Sequence, residues 1–380
     1  MIDISKVPSA CFVLEERLLR KNLELLHSVQ ARTTVQIILA LKGFAMYSTF
    51  PFVRKYLAGA TASSLNEARL IFEEMGCKAH TYSPLYLDSD MPEILQYSSH
   101  MTFNSWNQYE RFRDRATAYH EKISMGIRIN PQYSEVETDL YNPCVPGSRL
   151  GVVRAQMPDK LPAEIEGLHF HTLCENDSYT LERTLKAVEE RFSDLLYQVK
   201  WFNMGGGHLM TRKGYDIDHL VKVLNDFQDK YPHLQLIMEP GSAIGWQTGY
   251  LVATVLDIVN NGMDLAILDT SAEAHMPDTL AMPYRAMIRN SAVAFEKKAL
   301  SNFALLKSTS LALTQFIMAE IKLAPTKVAL FKFTPIRLAP FKLASFRLTP
   351  SRLAYSKLAY FKSIPLRSKP CKSAFLKSAP

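Results

Sequence analysis

Between about residues 10 and 256, short β-rich runs alternate with amphipathic helical stretches, and few architectures satisfy that alternation. Eight candidate strands follow one another: VQIILALK, GATASS, KAHTYSP, HMTFNS, SMGIRINP, GLHFHTL, WFNMGGG and LQLIMEPG. Most are followed by a helical pattern, so the expected fold is α/β, a closed parallel (β/α)8 barrel. Ahead of them, CFVLEERLLRKNLELLHSVQ reads as an extended segment entering a helix whose leucines recur at three- and four-residue spacing. After Glu239 the pattern changes. YLVATVLDIV and LAILDTSA are strand-like without intervening helices, so a small, incomplete β-domain is expected to begin near residue 250. This reading divides the chain into a barrel over 10–250, a partial β-domain from 1–9 and 251–290, and an aberrant low-complexity tail over 291–380.

The tail is a separate problem. From Lys322 a basic residue stands at every fifth position through Lys377, and prolines such as Pro325, Pro335 and Pro350 fall three residues after many of them. A period of five fits neither helix nor strand, and the prolines forbid regular ladders, so the segment reads as a low-complexity, disordered extension. So regular a repeat suggests translation of a short tandem DNA repeat after a frameshift. The tail also distorts the charge. The chain is +7 overall, but residues 321–380 hold thirteen Lys/Arg and no Asp/Glu, leaving 31 basic against 37 acidic residues in 1–320, a net of −6. A mildly acidic body argues against nucleic-acid binding, although the tail alone could bind acidic polymers electrostatically. No apolar stretch approaches the length of a membrane span. The N-terminal residues lack a basic flank and a long apolar core, and the five scattered cysteines form no C-x-x-C pair. These features suit reduced thiols, a cytoplasmic location and no metal site.

Residues with chemical capacity gather at strand ends: Lys42, Ser63, Asn104, Arg128, His171, Gly205–Gly207 and Glu239. That rim is where barrels of this type carry active sites. Lys42, in LALKGF, follows a buried strand and can project into the barrel mouth, where desolvation lowers its pKa and makes it a competent Schiff-base amine. Taken alone it would be a surface lysine. Gly205, Gly206 and Gly207 let backbone N–H groups approach a phosphate, and Gly241 in the EPG turn offers a second close approach. His171 and His169 in GLHFHTL are expected on opposite faces of their strand, one in the lumen where it can lie against an aromatic ring, the other toward the outer helices. A core histidine is the simplest reading of His169. Glu239 can hold a pyridine nitrogen protonated, which creates the electron sink that decarboxylation needs. Arg149 in PGSRLG can pair with a carboxylate or a phosphate.

LALKGFAMYSTFP, GATASSLNEARL, RINPQYSEVETDLYNPCVPGSRLG, GLHFHTLCEN, NMGGGHLMTRKGYD, EPGSAIGWQTG and HMPDTLAMPYR together resemble the carboxynorspermidine/carboxyspermidine decarboxylase family. These are pyridoxal-phosphate (PLP) enzymes of the alanine-racemase-like, fold-type III group. The resemblance implies that Lys42 is the catalytic residue carrying PLP, that His171 stacks on its ring, that Gly205–Gly207 and Gly241 hold the phosphate, and that Glu239 binds the pyridine nitrogen. It makes Ser242 and Asp278 candidates, with Arg149, for substrate contacts. It further implies a small-molecule polyamine substrate in spermidine and norspermidine biosynthesis, and a homodimer in which the C-terminal β-domain supplies a cysteine and a tyrosine to the other subunit's site. The resemblance stops after Arg285. Residues 290–380 show no equivalent of that segment, and Cys371 stands inside the repeat. Two rivals are therefore weighed beside the enzyme: a PLP-binding remnant with impaired catalysis, and a related diaminopimelate-type decarboxylase or a racemase. Glu239 speaks against the racemase, and LCEN and HMPD against the diaminopimelate enzyme.

Overall fold

In a computed structural model the described residues are 6–139, 141–281, 286, 288–289 and 318–323. The chain enters through strand β1 (Cys11–Leu14) and helix α1 (Glu16–Arg32), which buries Leu19, Leu23, Leu26 and Val29. That three- and four-residue spacing makes a single apolar stripe. Eight parallel strands follow: β2 (Gln36–Ala40), β3 (Gly59–Ala62), β4 (Ala79–Tyr82), β5 (Ser98–Phe103), β6 (Ser124–Arg128), β7 (Ile165–His169), β8 (Trp201–Asn203) and β9 (Gln235–Met238). They close into a barrel because β2 pairs with both β3 and β9. Six of them lie within the runs expected from the sequence, and β5 and β7 each begin two residues ahead of theirs.

The outer helices are α2 (Phe50–Val53), α3 (Leu65–Leu70), α4 (Met91–Tyr97), α5 (Trp106–Thr117), α6 (Ser178–Leu196) and α7 (Ile217–Lys230). Four have side-chain caps: Ser64, Ser105, Asp177 and Asp216 each accept an N–H three residues on. Such caps satisfy first-turn donors and fix where each helix leaves the rim. Among the described residues no α-helix joins β6 to β7. That long connection folds instead as an irregular arm over the barrel, tied down by Ser134 Oγ donating to the Thr172 carbonyl and by Arg183 donating to Glu135 at 2.6 and 2.7 Å.

The lumen is filled from the strands' N-terminal end. Trp201 turns inward there and donates its indole N–H to Ser124 Oγ at 2.8 Å. A Cβ at Gly126 or Gly167 would collide with its ring, so those glycines make room for it. His100 meets the indole edge-on, and His80 stacks on His100 with centroids 3.8 Å apart. Above this plug every polar strand end opens to the other rim.

After β9 come the short helix α8 (Ser242–Gly245), the long strand β10 (Gly249–Asn260) and strand β11 (Asp264–Leu268), which pairs antiparallel with β10. Helices α9 (Ala272–His275) and α10 (Asp278–Ala281) follow. Strands β12 (Ile288–Arg289) and β13 (Met318–Leu323) complete a second sheet in the order β1-β10-β13-β12, with β13 parallel to β10. Lys322, the first basic residue of the five-residue repeat, thus pairs opposite Thr254. The rest of the repeat, the frameshift reading and Cys371 lie outside the described residues. Among the described residues no helix is long and apolar enough to cross a membrane, and no cluster of three potential metal ligands occurs.

Candidate active site

The rim at the strands' C-terminal ends gathers Lys42, Arg128, His169, His171, Asn203, Gly205–Gly207 and Glu239. Lys42 stands in the turn after β2, where the N–H groups of Gly43 and Phe44 both donate to the Ala40 carbonyl. That turn is pressed against the turn after β9: a Cβ on Gly43 would lie 2.7 Å from the Ser242 nitrogen, and one on Gly241 2.8 Å from the Ala40 oxygen. Asn22 on α1 braces the same place from outside, donating to the carbonyls of Ile244 and Trp246.

Lys42 Nζ is 2.8 Å from His171 Nε2. On its other side the imidazole accepts the Gly206 N–H at Nδ1, 2.9 Å away. A neutral imidazole that accepts at Nδ1 carries its proton at Nε2, so His171 donates to Lys42, and the amine must offer a lone pair. The electrostatics agree. Burial lowers the pKa of Lys42, and the nearby Arg128 charge lowers it further against the opposing pull of Glu239. Burial holds His171 well below its ordinary value, with Lys42 and Arg128 acting the same way. Lys42 keeps solvent contact through the barrel mouth while protein encloses it on its other sides. The bond pattern and the direction of both shifts favour an unprotonated amine beside a neutral imidazole.

Glu239 directly follows β9 and is only 8% exposed. Burial acts to raise its pKa. The neighbouring His169, then the Asn203 amide, which donates to Oε1 at 2.7 Å, and His80 together outweigh that effect, and the carboxyl sits near 2. His169 Nε2 is 3.7 Å from Oε2, too far for a hydrogen bond, and neither ring nitrogen of His169 has a hydrogen-bond partner. The expectation that His169 and His171 face opposite ways is therefore wrong. Both turn to the site. Residues two apart in an extended segment share a face, and His171 in any case lies past the last strand residue, His169.

The glycine run works through close approach. Gly205 and Gly207 have φ of +65° and +89°, and a Cβ on any of the three would strike a main-chain carbonyl of a neighbouring strand end. Two of its N–H groups are already engaged, Gly205 with Asn203 Oδ1 and Gly206 with His171 Nδ1. Among the described residues the Gly207 N–H makes no hydrogen bond, so it is the donor of the run left for a ligand.

Arg128, the last residue of β6, is 4% exposed and has no carboxylate within ion-pair distance among the described residues. Its guanidinium donates to Tyr82 Oη at 2.6 Å and to the His171 carbonyl at 2.9 Å. Tyr82 donates onward to Asn104 Oδ1, which also accepts the Gly151 N–H, while Asn104 Nδ2 donates to the Arg149 carbonyl. The β6–β7 arm is thereby tied to the backbone of His171. Arg149 itself is exposed at the mouth, and its charge reaches Tyr82. Ser242 begins α8 beside the Lys42 turn. Asp278 begins α10, outside the barrel, and Ser63 holds Glu67 at its own strand end. In LCEN, Glu175 has a left-handed backbone (φ +55°), and the Cys174 N–H donates to Asn176 Oδ1. The sequence alone gave no role to Tyr82, Asn203 or the His80–His100 pair. An asparagine two residues before a glycine run at a strand end was the one available signal.

No protein-family model matches the chain. A carboxyaminopropylagmatine decarboxylase of Synechocystis is 50% identical over 291 residues, spanning 76% of this chain and 75% of that protein. A carboxynorspermidine/carboxyspermidine decarboxylase of Campylobacter jejuni is 44% identical over 288 residues, covering 76% and 74%. The crystal structure of carboxynorspermidine decarboxylase complexed with norspermidine, also from Campylobacter jejuni, superposes with a TM-score of 0.67 at 43% identity over 74% of this chain and 72% of that one. On identity, coverage and fold together, the chain belongs to the carboxynorspermidine/carboxyspermidine decarboxylase family of carboxy-lyases.

Proposed function

We propose that this chain is a PLP-dependent decarboxylase of carboxynorspermidine or carboxyspermidine, forming norspermidine or spermidine, with Lys42 as the residue that carries the cofactor. The observation that carries the reading is the Lys42 amine, its pKa lowered by burial, 2.8 Å from His171 and across the rim from the Glu239 carboxyl, whose pKa is held down by its neighbours. The residues fit the cofactor. A neutral amine is the form that attacks an aldehyde. The three glycines allow backbone to close in where a side chain could not, and the Gly207 N–H and the Gly241–Ser242 turn would take the phosphate. Oε2 of Glu239, left free by Asn203, would accept the pyridine N–H.

Bound there, PLP supplies the electron sink that takes the bonding pair as CO2 leaves. Lys42 and His171, in direct contact, can hold and return a proton at Nζ. Arg128 fixes the backbone of His171 and keeps positive charge beside Lys42, which favours the unprotonated amine. The net negative body draws a polycationic substrate toward the mouth, and Asp278, Arg149 and Ser242 are the proposed substrate contacts. We also assign the protein to the cytoplasm, as a homodimer.

A second substrate reading has one specific support: the 50% identical relative bears the name of a carboxyaminopropylagmatine decarboxylase. The test is CO2 release from carboxynorspermidine, carboxyspermidine and carboxyaminopropylagmatine, for wild type and Lys42→Ala. Release from either of the first two, lost in Lys42→Ala, supports the proposal. Release from the third alone selects the second substrate. Cofactor bound without any release selects the catalytically impaired remnant.

A further inference from the structure

We propose that Asn203 is a positioning residue that aims the Glu239 carboxylate through a closed hydrogen-bond ring joining the ends of β8 and β9. The inference rests on the functional reading above for its purpose, but the ring itself is made by this chain's own atoms. The Glu239 N–H donates to the Gly205 carbonyl at 2.7 Å, the Gly205 N–H donates to Asn203 Oδ1 at 2.9 Å, and Asn203 Nδ2 donates to Glu239 Oε1 at 2.7 Å. Each link joins two of only three residues, so none can rotate alone.

The ring also fixes which way the amide points. Oδ1 must face a main-chain donor, and Nδ2 must face an acceptor. Oε1 is thus held as an acceptor, and Oε2 is the oxygen left for a donor arriving from the barrel mouth. Asn203 is 3% exposed, and water cannot readily substitute for it. Gly205 is part of the device: its φ of +65° turns the N–H toward Oδ1, and a Cβ there would strike the Phe170 carbonyl.

The other charged or titratable groups around Glu239 do not replace this bond. Lys42 approaches from the turn after β2, His80 and Tyr82 from β4, and His169 from β7. None of them has a hydrogen bond to Glu239, and the His169 nitrogen stands 3.7 Å away. An amide at position 203 gives a neutral donor to the one carboxylate on the site floor. An acid there would place two carboxyls within hydrogen-bonding distance, and such pairs share a proton.

The test uses the full chain and two variants. Asn203→Ala removes the whole amide. Asn203→Asp keeps the acceptor for Gly205 and loses the donor to Glu239, so it separates loss of the Glu239 bond from damage to the loop. The readout is the titration of the Glu239 carboxyl in cofactor-free protein, by NMR of 13C-labelled glutamate, assigned with Glu239→Gln. The expected result is an upward shift of about one pH unit in Asn203→Ala and a larger one in Asn203→Asp. The acid limb of PLP binding should move by the same amount, while affinity at high pH recovers in Asn203→Ala. A purely structural role would weaken binding equally at every pH. Folded variants with the wild-type Glu239 titration would overturn the proposal. Wild-type protein that binds no PLP would instead defeat the functional reading, and the NMR titration would still decide the role of Asn203.

Discussion

Mild acid should unfold this barrel through its own histidines. Burial lowers His80 to about 3 and His100 and His208 to about 4, from an ordinary value of 6.5. Each is neutral when folded and takes up a proton once unfolded. As pH falls below 6.5 the unfolded chain therefore binds more protons, and stability drops until the folded values are reached. At about pH 5 the unfolded histidine is about 1.5 units into its protonated range, so each of the three costs about 2 kcal/mol relative to about pH 7.5. The sum is about 6 kcal/mol, reduced to about 4 because His80 and His100 keep some solvent contact, and that is a large part of an ordinary domain's stability. His169 and His171 are lowered as well and act in the same direction. The carboxylates leave this window alone. Glu135, Glu166 and Glu239 are held near 2, and their stabilisation is lost only below their ordinary 4.5. The assay is urea unfolding of cofactor-free protein followed by tryptophan fluorescence, with His100→Phe beside wild type. Phenylalanine keeps the ring in the stack and removes the proton site, so the variant should lose about 1 kcal/mol less between the two pH values. An unfolding free energy that changes by less than about 1 kcal/mol between those pH values would refute the reasoning.

Two further substitutions probe the scaffold. Gly167→Ala inserts a methyl group into the Trp201 ring and should destabilise the protein by about 1–3 kcal/mol, read from the urea midpoint; an unchanged midpoint would show that the plug can move aside. Tyr82→Phe deletes the hydroxyl between Arg128 and Asn104 and should cost about 1–3 kcal/mol, with faster amide exchange at Gly151 and its neighbours. Unaltered exchange there would mean that the arm is held by Glu135 and Ser134 alone.

The barrel was legible because its strands are short apolar runs closed by polar or small residues, and burial on both faces leaves that mark whatever the helices do. The rim was legible for the same reason: Lys42, the glycine run and Glu239 end their runs in the sequence and stand together in space. What could not be read depends on barrel closure. His80 and His100 become partners only when β4 pairs with β5, and Tyr82 and Arg128 meet across the β5 strand that lies between theirs. Asn203 has no meaning until the ends of β8 and β9 are side by side. The facing of His169 and His171 was within reach, since a two-residue period decides it. The β6–β7 arm gives no periodic signal, because side-chain hydrogen bonds rather than a helix hold it.

The most direct test of the central claim is chemical trapping. Purified protein supplied with PLP is reduced with borohydride, digested, and its peptides are sequenced by mass spectrometry. The account predicts a stable phosphopyridoxyl mass on Lys42 and on no other lysine, abolished in Lys42→Ala. A label on a different lysine, or a wild-type protein that traps none, would contradict it.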